Sequence, residues 1–414
     1  MRLRRTRARP GICLLAATPA HRYHLRLLIH WNMDSMPDNK DGLTVREVTT
    51  HQELDEFILF PKTLYRDDPN WVCPLYFEQK ERFSKKNPFF QHARWRAWLA
   101  RRDGQPVGRI SAQIDQLHQD KYKDNTGHFG LLEAIDDPEV FQILFSAAES
   151  WLKSEGMQRA TGPFNLSINE ECGLLIKGFD TPPRIMMVHG RPYYGQAVEA
   201  AGYQKAVDLI AYHQHPDFVV PKVMQRLVKR LSARITIRPL NRKRLKQELE
   251  LLRDIFNEAW SENWGSVPMT EAEFTEIGKV MSLLISDDFV QIAEVDGEAA
   301  AMIICLPNIN EAIADLNGKL LPFGWLKLLW RLKVRYPKSA RIPLMGVRKK
   351  YHHTPFGPAL SYMITDTLRY PVLARGMREM EMSWILEHNS GMRNIIESLG
   401  GVAYKTYRLY EKAL

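Results

Sequence analysis

The stretch that decides the fold reads VQIAEVDGEAAAMIICL and covers residues 290–306. Within it, two apolar runs flank Asp296-Gly297. Asp-Gly between alternating apolar runs is a strong signal for a tight β-hairpin, because both turn positions tolerate positive φ. The same arrangement occurs at residues 95–114, where Asp103-Gly104 separates two apolar runs. The sequence therefore predicts two antiparallel hairpins, one in each half of the chain.

The signals around the two hairpins follow the same order, which indicates an internal repeat. A strand pattern and then a helical pattern precede each hairpin, and a helical pattern, a glycine and a strand pattern close each copy. Gly104 follows the first strand residue, Leu43, by 61 residues, and Gly297 follows Ile235 by 62 residues. We therefore predict an α/β fold (α+β, mixed sheet) made of two related units, at residues 38–217 and 218–414.

The bulk composition excludes several classes of protein. The formal charge is +9, but residues 1–33 hold seven arginines and no acid, so nine minus seven leaves +2 for the rest. That balance predicts no nucleic-acid partner. The four cysteines have neither disulfide nor metal-ligand spacing, and no apolar run approaches the roughly 18 residues of a membrane span. We expect residues 1–35 to be a disordered basic extension or sequence ahead of a mis-assigned start, with a targeting peptide as the alternative.

The second copy carries a family resemblance. A strand pattern at 342–348, a basic loop at 349–358 and a helical pattern at 359–370 follow one another in the order of the GNAT acyltransferases. Four stretches resemble the YghO-like family of GNAT-related proteins, some of which are implicated as bacterial ceramide synthases: GPFNLSINEE at 162–171, GFDTPP at 178–183, FNEAW at 256–260 and YKTYRLYE at 404–411. The resemblance implies tandem GNAT-like (acyl-CoA N-acyltransferase) domains, with the acyl-CoA site in the second one.

The GNAT resemblance also implies where acyl-CoA would bind. Amides of the central strand would polarise the thioester carbonyl, and the start of the following helix would hold the diphosphate. The residues concerned are Met345, Gly346, Val347, Arg348, Lys349, Gly357 and Ala359, and Asn389 would bind the amides of the pantetheine arm. The loop departs from the usual Gln/Arg-x-x-Gly-x-Gly/Ala pattern, because YHHTPFGPA at 351–359 keeps one glycine and has two prolines, which offer no N–H. The alternatives are a basic loop with solvated charges, and Asn389 as an ordinary helix N-cap.

A dense polar segment at 165–171 is the second candidate site. Polar residues between apolar runs are either solvated or bind a ligand. Glu170 or Glu171 would accept the proton of an amine substrate, and Asn165 and Asn169 would contact that substrate. The alternative is that Ser167 and Glu170 form a helix capping box.

Tyrosines and a histidine complete the candidate site. Tyr404 and Tyr407 follow the closing glycines, where the GNAT fold often places the tyrosine that protonates the leaving thiolate; the alternative is aromatic packing on a strand edge. We also expect His189 and Tyr193 to contact the substrate. The histidines show neither a nucleophile-elbow context nor metal-ligand spacing, so we predict no metal.

Residues 319–336 combine leucines, tryptophans and basic residues at helical spacing. This composition is typical of a helix that lies on a membrane surface, with Trp325 among its lipid-facing residues. The alternative is a core helix packed between the two halves.

Together these patterns predict an enzyme that moves a fatty acyl group from acyl-CoA to an amine. The family resemblance suggests a sphingoid long-chain base as acceptor and a ceramide-type lipid as product. We expect a cytoplasmic protein associated with the inner face of the membrane. The alternatives are a metal-dependent nucleotide pyrophosphohydrolase and a non-catalytic GNAT-like binding protein, which divalent-metal dependence and titration with acyl-CoA would distinguish.

Overall fold

The computed structural model describes residues 42–414, except for the side chains of residues 282–284, so the predicted extension at residues 1–35 lies outside the described part. The first half begins at Leu43 and ends at Gln214. Its elements are β1 Leu43–Glu47, α1 His51–Leu64, α2 Tyr76–Arg82, β2 Ala93–Arg102, β3 Gln105–Asp115, α3 Gln116–Tyr122, β4 Thr126–Ala134, α4 Pro138–Ser154, β5 Arg159–Gly162, β6 Phe164–Asn165, β7 Glu171–Cys172, β8 Leu174–Lys177, α5 Tyr194–Ala200 and β9 Gln204–Gln214.

A connecting helix, α6 Lys222–Leu231, leads into the second half. The elements that follow are β10 Ile235–Pro239, α7 Leu245–Trp260, α8 Glu271–Leu284, β11 Val290–Val295, β12 Glu298–Pro307, α9 Ile309–Ile313, α10 Gly324–Lys333, β13 Ser339–Val347, α11 Phe356–Ala374, β14 Glu379–Leu386, α12 Ser390–Ser398 and β15 Val402–Ala413. Apart from β6, β7 and β8, which have no counterpart here, the strands follow the order of the first half, as the sequence predicts.

Both predicted hairpins are confirmed. β2 pairs with β3, and β11 pairs with β12, each antiparallel. The turn residues Asp103 and Gly104 have φ of 50° and 79°, and Asp296 and Gly297 have φ of 52° and 84°. Two consecutive positive φ values match the twist of a two-residue hairpin, which explains why Asp-Gly occurs at both turns.

One continuous sheet of 13 strands joins the two halves. Along it the strand order is β1-β2-β3-β4-β5-β15-β9-β14-β13-β12-β11-β10, and β8 also pairs with β15. The last strand of each half is therefore exchanged: β15 pairs with β5 of the first half, and β9 pairs with β14 of the second. β9 and β15 pair with each other at the centre, where Tyr407 lies opposite Leu209. Because the halves share this centre, the division at residues 217 and 218 stays a prediction.

Each half contains one parallel strand pair that separates partway along its length. β4 and β5 pair only from Thr126↔Arg159 to His128↔Thr161. β13 and β14 pair only from Ser339↔Glu379 to Ile342↔Met382, although both strands continue. We call these two openings the first splay and the second splay.

Separate apolar clusters support the two ends of the sheet. The largest lies in the second half and joins α7, α8 and α11 to β10–β14 through residues such as Ile255, Ile292 and Leu360, which are fully buried. A second cluster packs α4 against β2–β4. Among the described residues, the helices are too short or too polar to cross a bilayer.

Candidate active site

The second splay exposes backbone amides of β13. Arg348 N donates to Ala300 O (2.8 Å), so the alternation of a strand directs the amides of Met345 and Val347 to the opposite edge, facing β14. β14 no longer pairs there. Gly346 lies between these two residues, and a Cβ at this position would come within 2.5 Å of the Trp260 ring. The predicted central strand therefore separates from its neighbour at the expected place.

A cavity of about 180 Å³ begins at this splay and extends beneath α7 and α8. Pro343, Leu344, Trp384 and Arg341 line it at the splay. Its walls are otherwise mainly apolar: Leu240, Leu245, Leu249, Leu252, Phe256, Trp260, Trp264, Met269, Phe274, Ile277, Met281, Ile285, Val290, Ile304, Leu306, Leu386 and Leu409. Such a lining has no partner for a polar group along most of its length, and it favours a hydrocarbon chain.

A short hairpin from the first half brings Glu170 into the wall of this cavity. β6 pairs with β7, and Glu170 N donates to Ser167 O (3.1 Å) within the turn between them. The capping-box alternative for Ser167 and Glu170 is therefore wrong, because no helix follows.

The Glu170 carboxylate is held by an arginine from α2. Arg82 Nε donates to Glu170 Oε2 (3.1 Å), and the Glu170 side chain is 23% exposed. Burial raises the pKa of Glu170, Arg82 opposes the rise and Glu171 adds to it, so the pKa lies at about 7. A carboxylate with this pKa accepts a proton readily near neutral pH.

Glu171 and Asn165 fasten the hairpin rather than face the cavity. Glu171 Oε2 accepts from Arg82 Nη1 (3.1 Å) and from Asn165 Nδ2 (3.2 Å). Burial alone would raise the pKa of Glu171, but Arg82 and Asn165 lower it below its ordinary value. Asn169 does line the cavity, and its Nδ2 donates to Val267 O (3.2 Å). Of the predicted polar segment, Glu170 and Asn169 therefore reach the cavity.

A buried polar cluster lies where β13 and β14 separate. Arg341 is 1% exposed, and its Nε donates to Ser383 Oγ (2.8 Å). The Glu381 carboxylate is fully buried, lies 3.7 Å from the Arg341 guanidinium and accepts from the Ser383 and Tyr404 hydroxyls. Burial and Glu381 raise the pKa of Tyr404, so this phenol stays protonated.

Tyr407 belongs to the same cluster and differs from Tyr404 in one respect. It is fully buried, and among the described side chains and backbone its hydroxyl has no hydrogen-bond partner. Burial, then Glu381 and Tyr404, raise the pKa of Tyr407 well above its ordinary value. Neither Tyr404 nor Tyr407 is among the described residues that line the cavity, so the general-acid role of both stays a prediction.

The basic loop makes more internal contacts than the sequence suggests. Arg348 forms ion pairs with Asp254 (2.5 Å) and Glu258, and Lys349 N donates to Glu258 Oε1 (2.8 Å). Gly357 N donates to Thr354 O (3.2 Å). A diphosphate held at this loop would have to replace some of these bonds, so its position there stays a prediction.

Several predicted residues have other immediate roles. Asn389 caps α12, since its Oδ1 accepts from Met392 N (3.1 Å). Ala359 is fully buried within α11. His189 Nε2 lies 3.0 Å from Asp68 Oδ2, and Tyr193 OH donates to Ala134 O (2.8 Å), so both lie in the first half away from the cavity lining.

The first splay is filled by the protein itself. The segment that begins β6 crosses β4 so closely that a Cβ on Gly130 would lie 1.8 Å from Phe164 O. Leu131 N donates to Asn165 Oδ1 (2.8 Å), and Ala134 N donates to Tyr194 OH (3.1 Å). Amides that would be free in an open splay are therefore bonded to side chains.

Sequence reasoning missed Arg82, Arg341 and Glu381. Arg82 lies 88 residues before Glu170, and no local pattern connects them. Arg341 and Glu381 are neighbours in the parallel register of β13 and β14, where Arg341 is the one charged residue of β13 and Glu381 alternates with the buried Met380 and Met382 of β14. A charged residue at an inward strand position was the available signal, because such residues are rarely buried unless paired.

Solved structures share this architecture. A tandem GNAT protein from the clavulanic acid biosynthesis pathway matches with a TM-score of 0.52 and 12% identity over 90% of this chain and 98% of its own. A GCN5-related N-acetyltransferase from Sphaerobacter thermophilus matches with a TM-score of 0.50 and 12% identity over 90% of this chain and 96% of its own. With two splays in one shared sheet, the chain has a tandem GNAT fold.

Relatives identify the family within that class. The chain is 51% identical to Protein YghO of Escherichia coli (strain K12) over 371 residues, which are 89% of this chain and 95% of the relative. It is 50% identical to the Bacterial ceramide synthase of Caulobacter vibrioides (strain NA1000 / CB15N) over 90% of this chain and 98% of the relative. The chain therefore belongs to the family of YghO and bacterial ceramide synthase. No family model matches it.

Proposed function

We propose that the protein is an acyl-CoA-dependent N-acyltransferase that moves a fatty acyl group to the amine of a lipid acceptor. The observation that carries this proposal is the apolar cavity that ends at the second splay, beside a carboxylate whose pKa is about 7. Hydrocarbon, free strand amides and a base are the three features that long-chain amide formation from a thioester requires.

The reaction assigns a role to each part of the site. The amine nitrogen attacks the thioester carbonyl carbon, a C–N bond forms, and the carbonyl oxygen takes up negative charge near the amides of Met345 and Val347. Glu170 accepts the proton of the attacking amine. The C–S bond then breaks, and the phenol of Tyr407 or Tyr404 protonates the thiolate. The products are an amide and free CoA.

A relative and the cavity support a lipid acceptor. The name bacterial ceramide synthase describes a relative that is 50% identical over nearly its whole length. A sphingoid long-chain base would give a ceramide-type amide, and its tail would find an apolar environment in the cavity. Because transfer of each buried methylene contributes about 0.8 kcal/mol, a long chain gains substantial affinity there.

Thiol release tests the activity directly. Purified protein is incubated with palmitoyl-CoA and sphinganine, free thiol is followed by a chromogenic reagent, and the amide is detected by mass spectrometry. We expect thiol and amide in equal amounts. Thiol release without amide would indicate a thioesterase, and activity that requires an added divalent metal would favour the hydrolase alternative.

We further propose that α10 contacts a membrane surface. Leu321, Phe323, Trp325, Trp330 and Val334 are 79%, 69%, 45%, 49% and 67% exposed, an unusual concentration of large apolar side chains. Lysines and arginines are interspersed with them in the sequence, which suits an anionic lipid surface. The expected location at the inner face of the membrane stays a prediction.

Vesicle sedimentation tests this contact. Phe323→Glu, just before α10, and Trp325→Glu, within it, place charges among the exposed apolar side chains and should abolish sedimentation with vesicles that contain anionic lipid. Val402→Glu is a matched control, because Val402 is 64% exposed on β15. Equal sedimentation of all three variants and the parent would contradict the proposal.

A further inference from the structure

The apolar cavity has two chemically different ends, and α8 runs from one to the other. At the reaction end, Asn169 Nδ2 donates to Val267 O (3.2 Å), just before α8 begins. At the far end, Arg242 Nη2 donates to Ile285 O, just after α8 ends. Arg242, Asn169 and Ile285 all line the cavity. The helix therefore spans the cavity from one end to the other.

One face of α8 forms a wall of the cavity along this distance. Phe274, Ile277 and Met281 line it at helical spacing, in this order along α8 from its Val267 end to its Ile285 end. From Phe274 to Met281 the helix rises about 10 Å, at about 1.5 Å per residue, which distinguishes chains that differ by several methylenes.

The opposite wall is α7, which is held close to α8 at one point. Gly278 also lines the cavity, and a Cβ on it would lie 2.5 Å from Leu249 Cδ2 on α7. The two helices therefore cannot approach further, and the space between them is fixed by side chains rather than by loops. A fixed, side-chain-lined channel discriminates by length.

We infer that this cavity binds the hydrocarbon chain of a substrate and that Ile277 and Met281 on α8 set the chain length that it accepts. The inference rests on the proposed function for the identity of the reaction, but the binding site itself does not depend on it. The chain belongs either to the acyl group of the thioester or to the tail of the amine acceptor. Both have the same chemistry, and the experiment distinguishes them.

Two substitutions at different depths test the order along α8. Ile277→Trp and Met281→Trp each fill the cavity, the first nearer to the reaction end. We expect kcat/KM for the longest chain to fall at least about tenfold relative to that for a short chain. The longest chain that is still accepted should be shorter in Ile277→Trp than in Met281→Trp. Val280→Trp is the matched control, because Val280 is 46% exposed and lies outside the cavity lining.

Two substrate series identify the source of the chain. In one, acyl-CoAs from octanoyl to stearoyl are compared with one amine; in the other, alkylamines of graded length are compared with one acyl-CoA. If the preferred chain length of the variants changes in the acyl-CoA series, the cavity binds the acyl chain. If it changes in the alkylamine series, the cavity binds the tail of the acceptor. An unchanged profile in both series, or an equal shift for Val280→Trp, would overturn the inference.

A binding measurement separates this inference from the proposed function. cis-Parinaric acid, a fluorescent fatty acid, should bind the parent protein and bind at least about tenfold more weakly to Ile277→Trp. Binding without any acyl transfer would refute the proposed function and leave the chain site standing, whereas no binding would refute the chain site. If the tryptophan variants fail to fold, Ile277→Ala and Met281→Ala enlarge the cavity and should shift the preference to longer chains.

Discussion

The two splays of this molecule have the same strand order, but the first is filled by protein side chains and the second opens into a cavity. In the first splay, Asn165 and Tyr194 occupy the amides of β4. In the second splay, the strands open into an apolar cavity. The hairpin that closes the first splay is the one that carries Glu170 to the second. One half of the repeat has thus become a support that completes the site of the other.

The helix starts that follow the two splays differ in charge as well. The loop before α4 reads Ile135-Asp136-Asp137, and Asp137 Oδ1 accepts from Glu139 N (2.9 Å) as the helix cap. The loop before α11 contains Arg348, Lys349 and Lys350 instead. The acidic first start repels an anionic diphosphate more strongly than the second start, where Arg348, Lys349 and Lys350 are each paired with an acid that a diphosphate would have to displace. The comparison therefore predicts one acyl-CoA per chain.

The largest expected effect is on the base that the first half supplies. Glu170→Gln keeps the acceptor for Arg82 but cannot take up a proton, so kcat should fall about 10²- to 10³-fold with little change in KM. The parent rate should rise as pH increases through about 7, because the deprotonated form is the active one and the pKa of Glu170 is about 7. Initial rates of thiol release between pH 5.5 and 8.5 measure both.

The pH profile also provides the control for Glu170→Gln. The residual activity of the variant should not rise with pH around pH 7. A variant that keeps this rise, or keeps full activity, would show that another group accepts the proton.

The next effect concerns the charge of the second helix start. Gly357→Asp makes the start of α11 acidic, like the start of α4. Acyl-CoA should then bind at least about tenfold more weakly, a loss of about 1.4 kcal/mol in binding free energy. Gly357→Ala is the matched control, because it adds the same Cβ, near Tyr351 O at 2.8 Å, without charge. Calorimetric titration with palmitoyl-CoA gives affinity and stoichiometry together. Equal affinity in both variants would show that this loop does not hold the diphosphate. Binding of two acyl-CoA molecules per chain would show that the first splay also binds one.

Much of the fold could be predicted from the sequence because its signals are local. The Asp103-Gly104 and Asp296-Gly297 turns are local signals, and the spacing between them revealed the repeat. The exchange of β9 and β15 left no such signal, since either strand has the pattern of a buried strand whichever neighbour it pairs with.

In the candidate site too, residues with a local signal could be predicted, and residues that depend on distant contacts could not. Glu170 stood out because polar residues interrupt apolar runs around it, and the central strand stood out through the family resemblance. Arg82, which holds Glu170, and the Arg341–Glu381 pair depend on contacts between distant segments. Pairing of that kind is a property of the folded chain and has no periodicity.

A smaller effect tests the filling of the first splay. Gly130→Ala forces a methyl group against Phe164 O, so the hairpin must move, and we expect a loss of about 2–3 kcal/mol in the free energy of unfolding. Activity should also fall, because Glu170 moves with the hairpin. Gly195→Ala, on α5, is the control, because its backbone is not left-handed either and the added Cβ would lie at an ordinary 3.5 Å from the nearest atom, the Tyr410 hydroxyl. Urea unfolding and thiol release distinguish the two sites.

The smallest effect tests how the halves are held in register. His92 connects the first half to α8, since its Nδ1 lies 2.9 Å from Asp115 Oδ1 and its Nε2 lies 3.2 Å from Glu273 Oε1. Burial would lower the pKa of His92, but these two carboxylates raise it to about 9. The contact should therefore contribute fully below pH 6.5, the ordinary pKa, and fade as pH rises through about 9. His92→Gln should cost about 1–2 kcal/mol at pH 6 and much less at pH 10, measured by urea unfolding. An equal loss at both pH values would show that the charge of His92 does not hold α8 against the first half.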